Sequence, residues 1–141
     1  MIFDNPPGTG DEPLTVLQMI PDLDAAVMVT TPSSVSEEDV TKCVSMTRML
    51  NIKNIGLVEN MSYLECPHCD ERINLFGESK GKDFAEAMDV DYLGDLPFRT
   101  SVSESADIEE VPIVKSKPES DAAKGFMKIA QEIKSKYMNK D

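Results

Sequence analysis

The run Ala25-Ala26-Val27-Met28-Val29-Thr30 constrains the fold most, because it is apolar at odd and even positions alike. A strand of that kind must bury both faces, which suits a parallel sheet covered by helices on each side. Ile55-Gly56-Leu57-Val58 repeats the pattern, and Tyr92-Leu93-Gly94-Asp95-Leu96, closed by Pro97, reads as another strand. Met1-Ile2-Phe3 is a shorter apolar run, expected as the first strand and ended by Asp4. Between these runs lie helical patterns. Asp11 is a candidate N-cap for a helix over 11–20, with Glu12 and Pro13 suited to its first turn. Ser36, with Asp39 three residues on, opens a helix to about residue 51 in which Val40, Cys43, Val44 and Thr47 share one face at i, i+3, i+4 and i+7.

Strand, helix, strand, helix, strand at short spacing predicts an α/β fold with a mostly parallel sheet, right-handed crossovers and a ligand site at the carboxyl ends of the strands. Asp4, Thr31 and Asn60 stand at such ends and are expected to line one cleft. Beyond them the pattern predicts helices near 82–88 and over 101–108, an edge strand at Pro112-Ile113-Val114, and a last helix opened by Ser120. That helix should bury Ala123, Phe126, Met127, Ala130, Ile133 and Tyr137 and turn its lysines to solvent.

At 141 residues the chain should form one domain over 1–141, within which 61–77 is a cysteine-bearing loop. Twenty-six acidic against 14 basic residues give a net charge of −12, which repels phosphate backbones and anionic lipid, so neither nucleic acid nor a membrane is an expected partner. There is no apolar run of about 18 residues and no basic, apolar leader at the N-terminus, so a cytoplasmic location is expected.

Three cysteines cannot all pair. Cys43, on an apolar helix face, is expected to be a buried structural thiol. Cys66-Pro67-His68-Cys69 is different, since Cys-x-x-Cys lets two thiolates converge on one metal. Tetrahedral zinc and iron–sulfur cubanes each take four ligands, so one chain supplies half a site and a two-fold dimer would supply all of it. Both a zinc-bridged structural dimer and a thiol–disulfide oxidoreductase remain open on the ligands alone. Against the latter, Glu65, Asp70 and Glu71 surround the pair and disfavour a thiolate.

Six motifs in order, Asp4-Asn5-Pro6-Pro7-Gly8-Thr9-Gly10-Asp11, Val29-Thr30-Thr31-Pro32, Glu59-Asn60-Met61-Ser62, Cys66-Pro67-His68-Cys69, Phe76-Gly77 and Gly94-Asp95-Leu96-Pro97, resemble the Mrp/ApbC family of iron–sulfur carrier ATPases. That family belongs to the superfamily of MinD and the nitrogenase iron protein. The resemblance spans nearly the whole chain and implies a MinD-like, partial P-loop NTPase domain. By residue, it implies that Asp4 contacts Mg2+ through water, that Pro7, Gly8 and Gly10 lie in the loop sensing the γ-phosphate of ATP, and that Asn60 and Pro97 meet the adenine base. It further implies that Cys66 and Cys69 hold an iron–sulfur cluster, [4Fe–4S] by expectation, bridging a homodimer and passed on to apo iron–sulfur proteins. The family's Gly-Lys-Gly-Gly-x-Gly-Lys-Ser/Thr loop is missing from these residues. Gly77-Glu78-Ser79-Lys80-Gly81-Lys82-Asp83 does not replace it, having three residues where the pattern needs four between its glycines and no hydroxyl after the lysine. The chain thus resembles the C-terminal portion of a family member, is expected not to hydrolyse ATP alone, and yields no catalytic residue.

Overall fold

The computed structural model describes residues 1–20, 22–66, 68–69, 71–107 and 111–138. Its framework is a three-stranded parallel sheet in the order β1 (Ala26–Thr30), β2 (Ile55–Glu59), β5 (Asp91–Asp95). β1 and β2 pair without a break from Ala26 opposite Ile55 to Thr30 opposite Glu59. Between β2 and β5 the register slips after Leu57, and Gly94, opposite Val58, takes the left-handed φ of 137° that this irregularity requires. All five residues of β2 are buried.

Both faces of the sheet are covered, as runs apolar on both sides demand. On one face Ile55 and Leu57 pack with Val40 and Val44 of α2 (Ser34–Met49) and Ala85 of α3 (Gly81–Ala87). On the other, Val58, Leu93 and Leu96 meet Ile129 of α6 (Asp121–Ile133) and Tyr137 of the π turn Lys134–Met138. A fully buried Leu or Val contributes about 1.5–3 kcal/mol, so these two clusters supply most of the cohesion. The second reaches only β2 and β5. Val27 and Val29 share its face but remain 39% and 58% exposed, and among the described residues β1 is paired along one edge only. No described helix is long and apolar enough to cross a membrane.

Several expectations need correction. Met1-Ile2-Phe3 forms no strand and is exposed, because three apolar residues with no neighbouring strand to bond cannot hold an extended ladder. Helix α1 (Asp11–Met19) takes Gly10 as its N-cap, leaving Asp11 and Glu12 as the acidic residues of its first turn. α2 starts at a different serine. Ser33 is the N-cap and accepts the Ser36 amide, while the Ser36 hydroxyl accepts the Thr31 amide and meets Thr30 Oγ1 at 3.0 Å. The expected strand at 112–114 is instead a helical turn, α5 (Ile113–Ser116). Pro112 sits at its N-cap, where no amide is needed, and its carbonyl accepts from Lys115 and Ser116 at 2.8 and 3.0 Å. Of α4 (Thr100–Asp107), expected over 101–108, Ile108 lies outside the described residues.

The last helix is rotated from its expected setting. Ala122, Ala123 and Ile129 are buried, whereas Phe126, Met127 and Ala130 are exposed. The cause is Gly125, where a Cβ would sit 3.1 Å from Leu96, so the small-residue side of the helix approaches the sheet. The turn after it is anchored by Asp91, which accepts hydrogen bonds from Lys136 Nζ at 2.7 Å and Tyr137 Oη at 2.8 Å. The Lys136 hydrogen bond, aided by Tyr137, holds the Asp91 carboxyl below its ordinary pKa despite burial acting the other way. A carboxylate favoured in the folded state adds stability above its unfolded pKa and loses it as pH falls through the folded value. Asp91→Asn should therefore lower stability at neutral pH by about 0.5–1 kcal/mol, discounted for partial exposure, with the difference fading below about pH 4. Urea midpoints of the two proteins across pH measure it.

Candidate functional site

At the carboxyl end of β2 a carboxylate is fully buried. Glu59 follows Ile55 and Leu57 on one face of the strand, so its side chain enters the packed layer beneath α3 instead of solvent. It is satisfied there: Ser79 Oγ donates to Oε2 and the Lys80 amide donates to Oε1 at 3.1 Å. The fit leaves no room beside it, since a Cβ on Gly81 would lie 2.8 Å from the Glu59 side chain. Its backbone carbonyl accepts the Leu96 amide at 2.9 Å, and the Asn60 amide next to it donates to Thr30 at 2.7 Å. Three strand ends and a returning loop are thus joined at Glu59 and its neighbour Asn60.

From Glu59 the chain leaves the sheet and returns at Lys80. Asn60 is half-buried, its Oδ1 fixed by the Met61 amide at 2.9 Å. Ser62 is buried and donates to Asp95 and to the Leu96 carbonyl, which also accepts its amide. The outgoing strand then runs alongside 96–99: the Phe98 amide donates to Tyr63 at 2.7 Å, Leu64 bridges Phe98, and Arg99 is ion-paired with Glu65. Pro97 lies within that segment, half-buried.

Beyond it the excursion folds on itself. β3 (Leu64–Glu65) pairs antiparallel with β4 (Arg72–Ile73), the Cys66 amide donates to Glu71 at 2.9 Å, and the Arg72 guanidinium lies 4.2 Å above the Tyr63 ring. The expected cysteine-bearing loop therefore contains a small hairpin with Cys66 and Cys69 in its turn. Cys66 is half-buried, while Cys69 and His68 are exposed. Among the described residues no group of three or more His, Cys, Asp or Glu side chains converges as a metal site. The hairpin places two cysteines together in one turn, Cys69 exposed and Cys66 half-buried. Thiolates so placed can share a thiophilic metal or cluster with ligands from elsewhere.

The other predicted residues lie apart. Asp4, Pro7, Gly8 and Gly10 belong to an exposed segment, and no strand carries Asp4 to the sheet end where Thr30 meets Asn60. The single cleft expected for Asp4, Thr31 and Asn60 is thus incomplete, because the first strand does not form. The segment instead lies against α2, where Cys43 Sγ donates to the Gly8 carbonyl at 3.5 Å. Cys43, expected to be buried, is only half-buried, and burial raises its thiol pKa. A cavity of about 450 Å³ opens at the opposite end of the sheet, lined by Leu17, Ile20, Leu23, Ile52 and Lys53 among others, and holds none of these residues.

Sequence reasoning missed Glu59, Ser79 and the Arg99–Glu65 pair. Glu59 carried a signal, a charge in register with the inward residues Ile55 and Leu57; the ion pair, 34 residues apart in the chain, carried none.

Comparison with known proteins bears on this arrangement. A family model described as ParA: NUBPL iron-transfer P-loop NTPase matches residues 1–134. The iron-sulfur cluster carrier protein of Pyrococcus furiosus is 47% identical over 136 residues, 96% of this chain and 45% of that protein. The iron-sulfur cluster transfer protein NUBPL of Dictyostelium discoideum is 41% identical, over 94% of this chain and 41% of its own length. The chain thus spans less than half the length of these relatives. Among solved structures, a nucleotide-binding protein from Archaeoglobus fulgidus in complex with ADP aligns over 82% of this chain and 46% of its own, with 36% identity and a TM-score of 0.66. MinD of Aquifex aeolicus, at 14% identity and a TM-score of 0.59, shares the fold.

If Glu59 ties the excursion to the sheet, Glu59→Ala should cost about 2–3 kcal/mol by stranding the Ser79 hydroxyl and the Lys80 amide, and Glu59→Gln clearly less. Urea unfolding gives the energies. Amide exchange at Lys80 should accelerate in the alanine variant, and an unchanged rate would refute the tie.

Proposed function

Because the chain belongs to the NUBPL family of iron-transfer P-loop NTPases, we propose that it carries an iron–sulfur cluster on Cys66 and Cys69 and delivers it to apo iron–sulfur proteins. The observation that supports this most directly is the hairpin: it brings Cys66 and Cys69 into one surface turn, with Cys69 exposed and Cys66 half-buried. A cluster held by two ligands per chain is complete only when a second copy adds two more, and a surface position leaves it reachable by an acceptor. The cargo proposed is a [4Fe–4S] cluster bridging a homodimer.

The geometry argues against the thiol–disulfide reading. An oxidising Cys-x-x-Cys depends on a helix N-terminus to stabilise the thiolate, whereas these cysteines lie in a β-hairpin turn with Glu65 and Glu71 at its base. A zinc-bridged dimer would use the same sulfurs and is separated by metal analysis.

For the nucleotide we propose a division of the site. Asn60 and Pro97, close to the shared end of β2 and β5, form the base side. Asp4, Pro7, Gly8 and Gly10 belong to the magnesium and γ-phosphate side, a carboxylate suiting the water-shelled Mg2+ ion. These residues contain no Gly-rich loop with its lysine to cradle the β- and γ-phosphates, so ATP-linked delivery requires phosphate contacts from outside them.

Anaerobic reconstitution with iron and sulfide tests the carrier reading. A dimer with about four irons per two chains is expected, with cluster absorption lost in Cys66→Ser and Cys69→Ser. Zinc retained through that treatment, or a monomer whose cysteines form a strongly oxidising disulfide, would overturn it. Calorimetry tests the divided nucleotide site: the chain alone should bind ATP more weakly than about micromolar, since the phosphate interactions that dominate NTPase affinity are missing.

A further inference from the structure

Among the described residues the cysteine hairpin has one ion pair with the body of the protein, and it falls next to the turn carrying Cys66 and Cys69. Glu65 immediately precedes Cys66, and its carboxylate pairs with Arg99 from the segment that follows β5. The two side chains are only 29% and 24% exposed, so the pair is more sheltered than the protein's other ion pairs among the described residues. It also continues the backbone contacts made by Tyr63 with Phe98 and by Leu64 with Phe98, and is the last of these ties before the turn. Beside it opens a cavity of about 370 Å³, lined by Glu65, Arg99, Ser101 and the first turn of α6 at Ser120, Asp121 and Ala122.

An unneutralised carboxylate one residue from a cluster-binding thiolate would repel the anionic centre and favour its loss. We propose that Arg99 is the positioning residue of the cysteine hairpin, acting through Glu65 to hold Cys66 in place and to offset the Glu65 charge beside the cluster. This deepens the carrier reading above and rests on it. Hand-over of a cluster exchanges the carrier's thiolates for the acceptor's at each iron, with no change of oxidation state. A residue that steadies one departing thiolate sets how readily that exchange begins. Arg99 also follows Pro97 by two residues, so the segment assigned to the base side of the nucleotide site is continuous with the one that grips the hairpin.

The test uses the full chain reconstituted with iron and sulfide, comparing wild type with Arg99→Gln, Arg99→Lys and Glu65→Gln. Three quantities are read: iron content, the rate of cluster loss to a fixed concentration of iron chelator, and reduction potential. Arg99→Gln should keep the wild-type iron content yet lose the cluster about fivefold faster, the size of one sheltered ion pair, with a more negative potential. Arg99→Lys should recover most of both effects, because the cation returns even though the planar fork does not. Glu65→Gln should also speed loss but move the potential the opposite way, a reversal that a purely structural tie cannot produce. Unchanged release and potential in Arg99→Gln, with wild type holding its iron, overturns the role of Arg99 alone. A wild type that holds no iron sinks the carrier reading itself. If Arg99→Gln does not fold, release and potential in Arg99→Lys and Glu65→Gln decide: values equal to wild type in both overturn the proposal, and faster loss with a less negative potential than wild type in the folded Glu65→Gln sustains it.

Discussion

One carboxylate out of reach of water holds this architecture together. Glu59 ends the central strand, and its two oxygens together with its own carbonyl bind the loop that returns from the cysteine excursion and the chain that leaves β5. A buried charge is tolerated only when its hydrogen-bonding capacity is met, so the loop from Ser79 to Gly81 cannot drift without exposing a large desolvation cost. The consequence is a hairpin fastened at both feet, by 96–99 on the way out and by Glu59 on the way back. The turn carrying Cys66 and Cys69 is thus presented from a base tied to the sheet on both sides.

The parallel sheet was legible because runs such as Ala26–Thr30 and Ile55–Glu59 have one physical solution, burial on both faces. The same confidence fails for short elements. Pro112-Ile113-Val114 has strand composition, yet a proline at a helix N-cap and two carbonyl-bound amides turn it into α5. Met1-Ile2-Phe3 is apolar but has no neighbouring ladder, and strand identity depends on a neighbour more than on propensity. In α6, apolarity alone assigned Phe126 and Met127 to the core. Gly125 decided otherwise, because the closest approach of a helix to a sheet is made where side chains are smallest.

The candidate site was legible to a different degree in its two parts. Cys66 and Cys69 are read from spacing, and the structure sets them together in one turn. The hairpin that carries them was invisible, since β3 and β4 are two residues each and their pairing is a long-range fact. The ion pair of Arg99 with Glu65 was equally silent. Of the residues expected on the nucleotide side, Asn60 and Pro97 stand close to the shared end of β2 and β5, while 4–10 is exposed and meets α2 at Gly8. The relatives are more than twice as long as the part of them this chain matches.

The outer edge of β1 has a consequence for the chain as a solute. Unpaired among the described residues, the amides and carbonyls flanked by Val27 and Val29 form a template on which an extended polypeptide can add a fourth strand, a second copy included. What stands in the way is the surplus of acid: at −12, two copies repel before their borders can align. Dispersion of the protein is therefore governed by ionic strength, with salt that screens this repulsion bringing the sticky margins into contact.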